Sequence, residues 1–179
     1  MEKGFVLWFT GLPGSGKTTI ARGVAKVLRE KGFRVEVLDG DEVRRWLSPE
    51  AGFTREDRIR HLTRVAYVSR LLARNGVIVI ASFVSPYRDV RKKIRSIIEE
   101  EGLPFIEVYV ECSIEECMRR DPKGLYKRAL KGEIKHMTGI DDPYEPPINP
   151  EIKINTEKES ITNNINKVLN RIRELRLIE

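Results

Sequence analysis

A chain of 179 residues, 40% hydrophobic and 34% charged, is long enough to bury a core and is expected to form one domain over 1–179. The net charge of +6 admits a nucleic-acid surface or a site for a small polyanion. The basic residues are interleaved with acidic ones, as in 91–100, so the small-anion reading is preferred and no nucleic-acid partner is expected. No apolar stretch approaches the ~20 residues that span a bilayer, and no signal-peptide pattern opens the chain, so no membrane association is expected. Cys112 and Cys117 with few histidines do not make a zinc site. They read as reduced, packed thiols in a cytoplasmic protein.

Strand and helix patterns alternate along the chain. Phe5–Phe9 is a buried-strand run, and Thr18–Lys31 is helical with Ile20, Val24, Val27 and Leu28 on one face, ended by Gly32. Val35–Leu38 is a second strand, followed by a short helix after Asp41. Thr54, with Asp57 three residues on, opens a long helix to about Asn75. Val77–Ala81 is apolar throughout, as in a central strand covered on both faces. A helix over Tyr87–Glu101, a strand over Phe105–Val110 and a helix over Ile114–Arg120 follow. The segment from Asp121 to Pro150 is polar and rich in Gly and Pro, which suits a functional lid, placed at about 121–145. A short strand, Ile152–Ile154, and an amphipathic helix, Ser160–Leu177, close the chain. The alternation predicts an α/β fold, three-layered, with a mostly parallel five-stranded sheet and ligands beyond the carboxyl ends of the strands.

The polar clusters follow the strands. Gly11-Leu12-Pro13-Gly14-Ser15-Gly16-Lys17-Thr18 fits the phosphate-loop pattern, and it sits between a strand and a helix as that motif requires. Backbone N–H groups and a helix N-terminus there suit nucleotide phosphates, Lys17 adds a point charge, and the Thr18 hydroxyl can ligate Mg²⁺. Thr19 continues the same turn. Asp39 and Asp41 follow the second strand. Either can cap the next helix, and Asp41 is the candidate general base or water-mediated Mg²⁺ partner. Arg44 and Arg58 suit an anionic substrate, and Phe53 can stack on a base. Ser82 to Arg88 places hydroxyls at the end of the third strand, where Ser85 can equally be a turn residue before proline.

Several segments together resemble the adenylylsulfate kinase (APS kinase) family. They are the phosphate loop, Leu38-Asp39-Gly40-Asp41 followed by Arg44, Gly52-Phe53-Thr54 with Asp57-Arg58, and Ser82-Phe83-Val84-Ser85-Pro86-Tyr87-Arg88. Arg120-Asp121-Pro122-Lys123-Gly124-Leu125-Tyr126-Lys127 and Thr138-Gly139-Ile140-Asp141-Asp142-Pro143-Tyr144-Glu145 complete the set. The resemblance runs from about Phe5 to Glu151 and implies a P-loop kinase-like fold. The implied reaction moves the γ-phosphate of ATP, with Mg²⁺, to the 3′-hydroxyl of adenosine 5′-phosphosulfate, in sulfate assimilation. It further implies that Asp41 is the metal-linked acid and base. Arg44 and Arg58 hold the phosphosulfate, Phe53 stacks on the acceptor adenine, Arg120 lies near the ATP adenine, and Lys123 is a lid lysine facing the anions. Ser85 matches a serine often assigned as a phosphoserine intermediate. Direct in-line attack needs no enzyme nucleophile, so Ser85 is expected to bind rather than react. Family members are often homodimers. Three positions depart from the family: His61 stands for an asparagine that contacts substrate, Met137 for a phenylalanine walling the adenine slot, and Glu42 for a frequent asparagine. A substrate-binding His61 is expected to gain charge as pH falls through about 6.5. The alternative is another small-molecule P-loop kinase, of nucleoside, sugar or shikimate type.

Overall fold

The structure, a computed structural model, describes residues 4–179. One sheet holds β1 (Val6–Thr10), β2 (Val35–Asp39), β3 (Ile78–Ser82), β4 (Phe105–Glu111) and β5 (Ile152–Asn155). Its order is β2-β3-β1-β4-β5, and every pairing is parallel. The helices are α1 (Lys17–Glu30), α2 (Gly40–Leu47), α3 (Arg55–Arg74), α4 (Arg88–Glu99), α5 (Ile114–Arg120), α6 (Leu125–Leu130) and α7 (Ile161–Glu174). Among the described residues no helix is long and apolar enough to cross a membrane.

The period of two along β1 explains the layers. Leu7 and Phe9 pack with Ile20, Val24 and Leu28 of α1 and Val168, Leu169 and Ile172 of α7. Val6 and Trp8 point the other way, onto Leu62, Val65 and Ala66 of α3 and Val90, Ile94 and Ile98 of α4. Helices on both faces bury β1 and β3 completely, which is why these strands read as continuous apolar runs. Each large side chain so buried contributes roughly 1.5–3 kcal/mol. A third cluster, Cys112, Cys117, Tyr126, Ala129 and Met137, lies where α5 meets the 121–145 segment. Both cysteines are free thiols.

The parallel register aligns the carboxyl ends: Phe9 pairs with Ser82, Thr10 with Tyr109, and Asp39 with Ser82. All the polar clusters of the sequence therefore emerge on one rim of the sheet. Within residues 121–145 the structure adds an element that the sequence pattern does not show. The six-residue α6 is too short for a helical period to register. Tertiary contacts and a side-chain cap hold it instead: the Asp121 carboxylate accepts the N–H groups of Tyr126 and Lys127 at 3.1 and 3.0 Å.

Candidate active site

The phosphate loop turns because its glycines allow it. Gly16 has φ +92° and caps α1 without a side chain, so the first-turn N–H groups stay free to meet an anion. A Cβ at Gly11 would lie 2.6 Å from the Val110 carbonyl oxygen and 2.9 Å from Ser15 Oγ, so the loop can pass beside β4 only with glycine there. No acidic residue occupies the first turn of α1, and the dipole there favours negative charge. Lys17 is buried and curls back over the loop, its Nζ donating to the carbonyls of Gly11 at 2.9 Å and Leu12 at 2.8 Å. Burial pushes its pKa down to about 8, against the pull of Cys117 and Asp39, and Lys123 adds to the lowering.

Two carboxylates stand at the end of β2. Asp39 is the N-cap of α2, its Oδ1 accepting from Gly40 N at 2.6 Å. The same oxygen lies 3.4 Å from the Thr18 hydroxyl, which donates to it, while Oδ2 faces Arg22 at 3.4 Å. Of the two readings the sequence leaves open for Asp39, the capping contact is present, and the same carboxylate lies beside the Thr18 hydroxyl. Asp41 lies in the first turn of α2 and its side chain is 81% exposed. It forms an ion pair with Lys123 of the 121–145 segment, so a residue 82 positions away reaches the same spot.

Arg44, Phe53 and Arg58 come together as a second cluster. Phe53 is 51% exposed, with the Arg44 guanidinium 4.5 Å and the Arg58 guanidinium 5.7 Å from its ring centroid. Arg44 donates to the carbonyls of Ala51 and Gly52. Arg58 donates to Phe53 O at 3.0 Å and, across 78 residues, to His136 O at 2.6 Å. Burial holds the pKa of both guanidiniums below the usual arginine range. Next to His136, Met137 is buried in the cluster with Tyr126 and the two cysteines, while its N–H donates to Asp141 Oδ1 at 2.6 Å.

Ser85 and His61 sit deeper than their residue types suggest. Ser85 is buried, with φ +41°. Its Oγ accepts from Trp8 Nε1 at 3.0 Å and donates to Phe83 O at 3.1 Å, so its hydroxyl is already committed on both sides. His61 is buried edge-on against Phe83, with Nδ1 2.9 Å from Ser48 Oγ. Burial, with Arg44 and Arg64 nearby, pushes its pKa down to about 4. The expected charge change near pH 6.5 is thereby displaced, since desolvation disfavours the imidazolium.

Arg120 ties two loops together. It donates to Thr156 O at 2.9 Å and Thr156 Oγ1 at 3.2 Å, with its Nε held by Glu116 at 2.8 Å. Thr156 in turn donates to Ser15 O at 2.6 Å, and Tyr126 of α6 donates to Pro13 O at 2.6 Å. Neither Thr156 nor Tyr126 stood out in the sequence as a prop of the phosphate loop. Both lie more than 110 residues from it, and no local spacing signals such contacts.

The donor set suits Mg²⁺. Thr18, Asp39 and Asp41 offer only oxygen, and among the described residues no group of three or more His, Cys, Asp and Glu could hold a metal. Mg²⁺ characteristically takes one or two protein oxygens and completes its shell with phosphates and water.

The model of the adenylylsulphate kinase family matches residues 3–155. A probable adenylyl-sulfate kinase of Aeropyrum pernix is 62% identical over 165 residues, covering 92% of this chain and 90% of its own. The solved Mycobacterium tuberculosis APS kinase CysC, in complex with AMPPNP and APS, superposes with a TM-score of 0.94 at 40% identity, over 97% of this chain and 99% of that one. A hexameric APS kinase from Thiobacillus denitrificans matches at 31% identity with a TM-score of 0.76, over 99% of this chain and 30% of that one. The chain belongs to the adenylylsulphate kinase family of P-loop kinases.

Proposed function

We propose that this chain, as one kinase domain over 1–179 with a lid at about 121–145, transfers the γ-phosphate of ATP to the 3′-hydroxyl of adenosine 5′-phosphosulfate. The products are 3′-phosphoadenosine 5′-phosphosulfate and ADP. The observation that carries the acceptor is the Phe53 ring flanked by Arg44 and Arg58, an apolar face beside two fixed cations. That pairing suits a purine bearing a 5′ anionic tail. A nucleoside would use the ring but not the cations, shikimate a cation but not the ring, and a sugar neither, and the relatives do not favour that alternative.

The loop from Gly11 to Thr19 seats the ATP phosphates on backbone N–H groups, and Lys17 turns from its carbonyl partners to the phosphate oxygens. Arg120 and its Thr156 contact hold the adenine side. Thr18 and Asp41 would hold Mg²⁺, which would supply positive charge against the charge that develops on the phosphates during transfer. Asp41 orients the 3′-hydroxyl and takes its proton as the new O–P bond forms and the bond to the β-phosphate oxygen breaks, ADP leaving. Lys123 balances the charge at Asp41. The lid, with Met137 in its packed base, closes over both nucleotides and excludes water, the competing acceptor. A cytoplasmic location and a homodimer complete the reading, the hexameric Thiobacillus relative supporting self-association.

ADP release, coupled to a spectrophotometric readout, tests the acceptor. Adenosine 5′-phosphosulfate is expected to drive it far above a nucleoside, a sugar or shikimate. Equal release with all four would sink the proposal.

Ser85 enters as a binding and packing group. Ser85→Ala leaves the buried Trp8 N–H without its partner, so a loss of about 1–3 kcal/mol in stability is expected. Turnover should fall less than about tenfold, because in-line transfer needs no enzyme nucleophile. Turnover abolished with acceptor binding unchanged would restore the covalent role. His61 stays neutral in the folded protein until pH nears 4, whereas unfolded it protonates near 6.5. The unfolded chain thus binds more protons between those values, and stability falls as pH drops from about 6.5 toward 4. The KM for adenosine 5′-phosphosulfate is accordingly expected to be flat between about pH 6 and 8, and a KM that drops through pH 6.5 would show a charged His61 in the site.

A further inference from the structure

We propose that Arg91, on α4, is the positioning residue that fixes the C-terminal hinge of the lid to the acceptor side of the sheet. The proposal rests on the kinase reading of the site. Arg91 is 3% exposed, deep for an arginine, and its guanidinium is divided among three partners. Nη1 donates to Ser85 O at 2.6 Å, Nη2 to Glu145 O at 2.5 Å, and Nε to Glu107 Oε2 at 3.2 Å. The first partner belongs to the turn leaving β3, and the second to the end of the lid segment. The third is a carboxylate of β4 that neutralises the charge in a place where an unpaired guanidinium is costly.

Other contacts repeat the same stitch. Glu145 N donates to Pro86 O at 2.8 Å, and Arg88 N donates to Glu145 Oε1 at 2.9 Å. Thr10 Oγ1, at the end of β1, donates to Val84 O at 2.7 Å and lies 2.9 Å from the Tyr144 hydroxyl. The Arg91 guanidinium also lies 5.8 Å from the centroid of the Tyr144 ring. Among the described residues, Arg91 grips the turn and the lid end with the two arms of one rigid fork. Ser85, with φ +41°, holds a backbone conformation that few side-chain-bearing residues adopt, and its carbonyl is one of the two that the fork grips. The fork therefore sets where the lid ends its span over the acceptor, while the phosphate loop is propped separately by Thr156 and Tyr126.

Arg91→Lys tests this. A lysine keeps the charge beside Glu107 but cannot reach both carbonyls at fork geometry. With the folded state checked by circular dichroism, the variant is expected to raise the KM for adenosine 5′-phosphosulfate about tenfold and to change the KM for ATP less than twofold. Glu107→Gln, which removes the ion pair and leaves both carbonyl contacts, should lower the melting temperature without changing either KM. If Arg91→Lys does not fold, Tyr144→Phe, which cuts the hinge tie to Thr10, carries the same expectation of a selective rise in acceptor KM. Arg91→Lys or Tyr144→Phe with both KM values unchanged, or raised together, overturns the proposal. So does a Glu107→Gln variant that shows the same selective rise. Wild type inactive with adenosine 5′-phosphosulfate refutes the kinase reading instead, so the two failures are distinguishable.

Discussion

Lys17→Met is expected to cut turnover by at least ~10²-fold while the protein stays folded, because a preorganised charge aimed at the transferring phosphoryl group is lost. The surroundings of Lys17 add a signature of their own. Burial holds its pKa at about 8 rather than 10.5. Keeping it charged at neutral pH therefore costs on the order of 3 kcal/mol, a penalty the site bears so that the cation is ready for phosphate. Between about pH 8 and 10.5 the unfolded lysine keeps its proton and the folded one does not. The unfolded chain binds more protons there, so this residue makes stability rise with pH through that window. Other groups titrate in the same range, so the decisive quantity is the difference between wild type and variant. Urea melts at several pH values should show a rising increment in wild type that Lys17→Met lacks. Identical slopes in the two proteins, or a turnover loss below about tenfold, would show that Lys17 is not the buried cation that meets the phosphoryl group.

Arg58→Ala is expected to raise the KM for adenosine 5′-phosphosulfate by roughly 30-fold, about 2 kcal/mol, the scale of a lost charged hydrogen-bonding partner. Two contributions add. The anion loses a guanidinium, and the lid loses its donor to His136 O, a 2.6 Å contact that joins α3 to the segment beyond α6. A lid without that tie excludes water less well, so ATP hydrolysis in the absence of acceptor should rise in the same variant. Arg58→Lys should recover only part of the loss, since an ammonium cannot bridge the Phe53 and His136 carbonyls as a planar fork does. Initial rates with varied acceptor, together with acceptor-free ADP release, measure both effects. A KM within about threefold of wild type would detach Arg58 from the acceptor.

Much of this arrangement was legible in the chain because it is local. The phosphate loop is a turn of eight residues whose glycines, lysine and threonine act on the backbone beside them. The Thr54 cap is likewise local: its hydroxyl accepts from Asp57 N at 3.2 Å and donates to Asp57 Oδ2 at 2.8 Å. The layering follows from the period of two in β1 and the helical period of α1 and α7. The resemblance to one kinase family was legible too, since its segments are contiguous strings. The helix α6 was not, because its six residues fold on a cap from Asp121 and an anchor from Tyr126 to Pro13. The state of His61 was also hidden, since a histidine next to a leucine on a helix gives no measure of what Ser48, Phe83 and two arginines later pack around it.

The sequence by itself determined the element order, the parallel sheet, the phosphate loop and a series of polar side chains at the strand ends. Each depends on spacing along the chain or on which face of an element a side chain occupies. The tertiary structure alone decided which of those groups are paired, buried or free. Asp41 meets Lys123, Arg58 meets His136, Arg91 reaches Glu145, and Thr156 props Ser15, contacts that span 82, 78, 54 and 141 residues. Such contacts fix burial and the placement of the 121–145 segment through distance between residues far apart in the chain, and that distance does not exist until the chain has closed on itself.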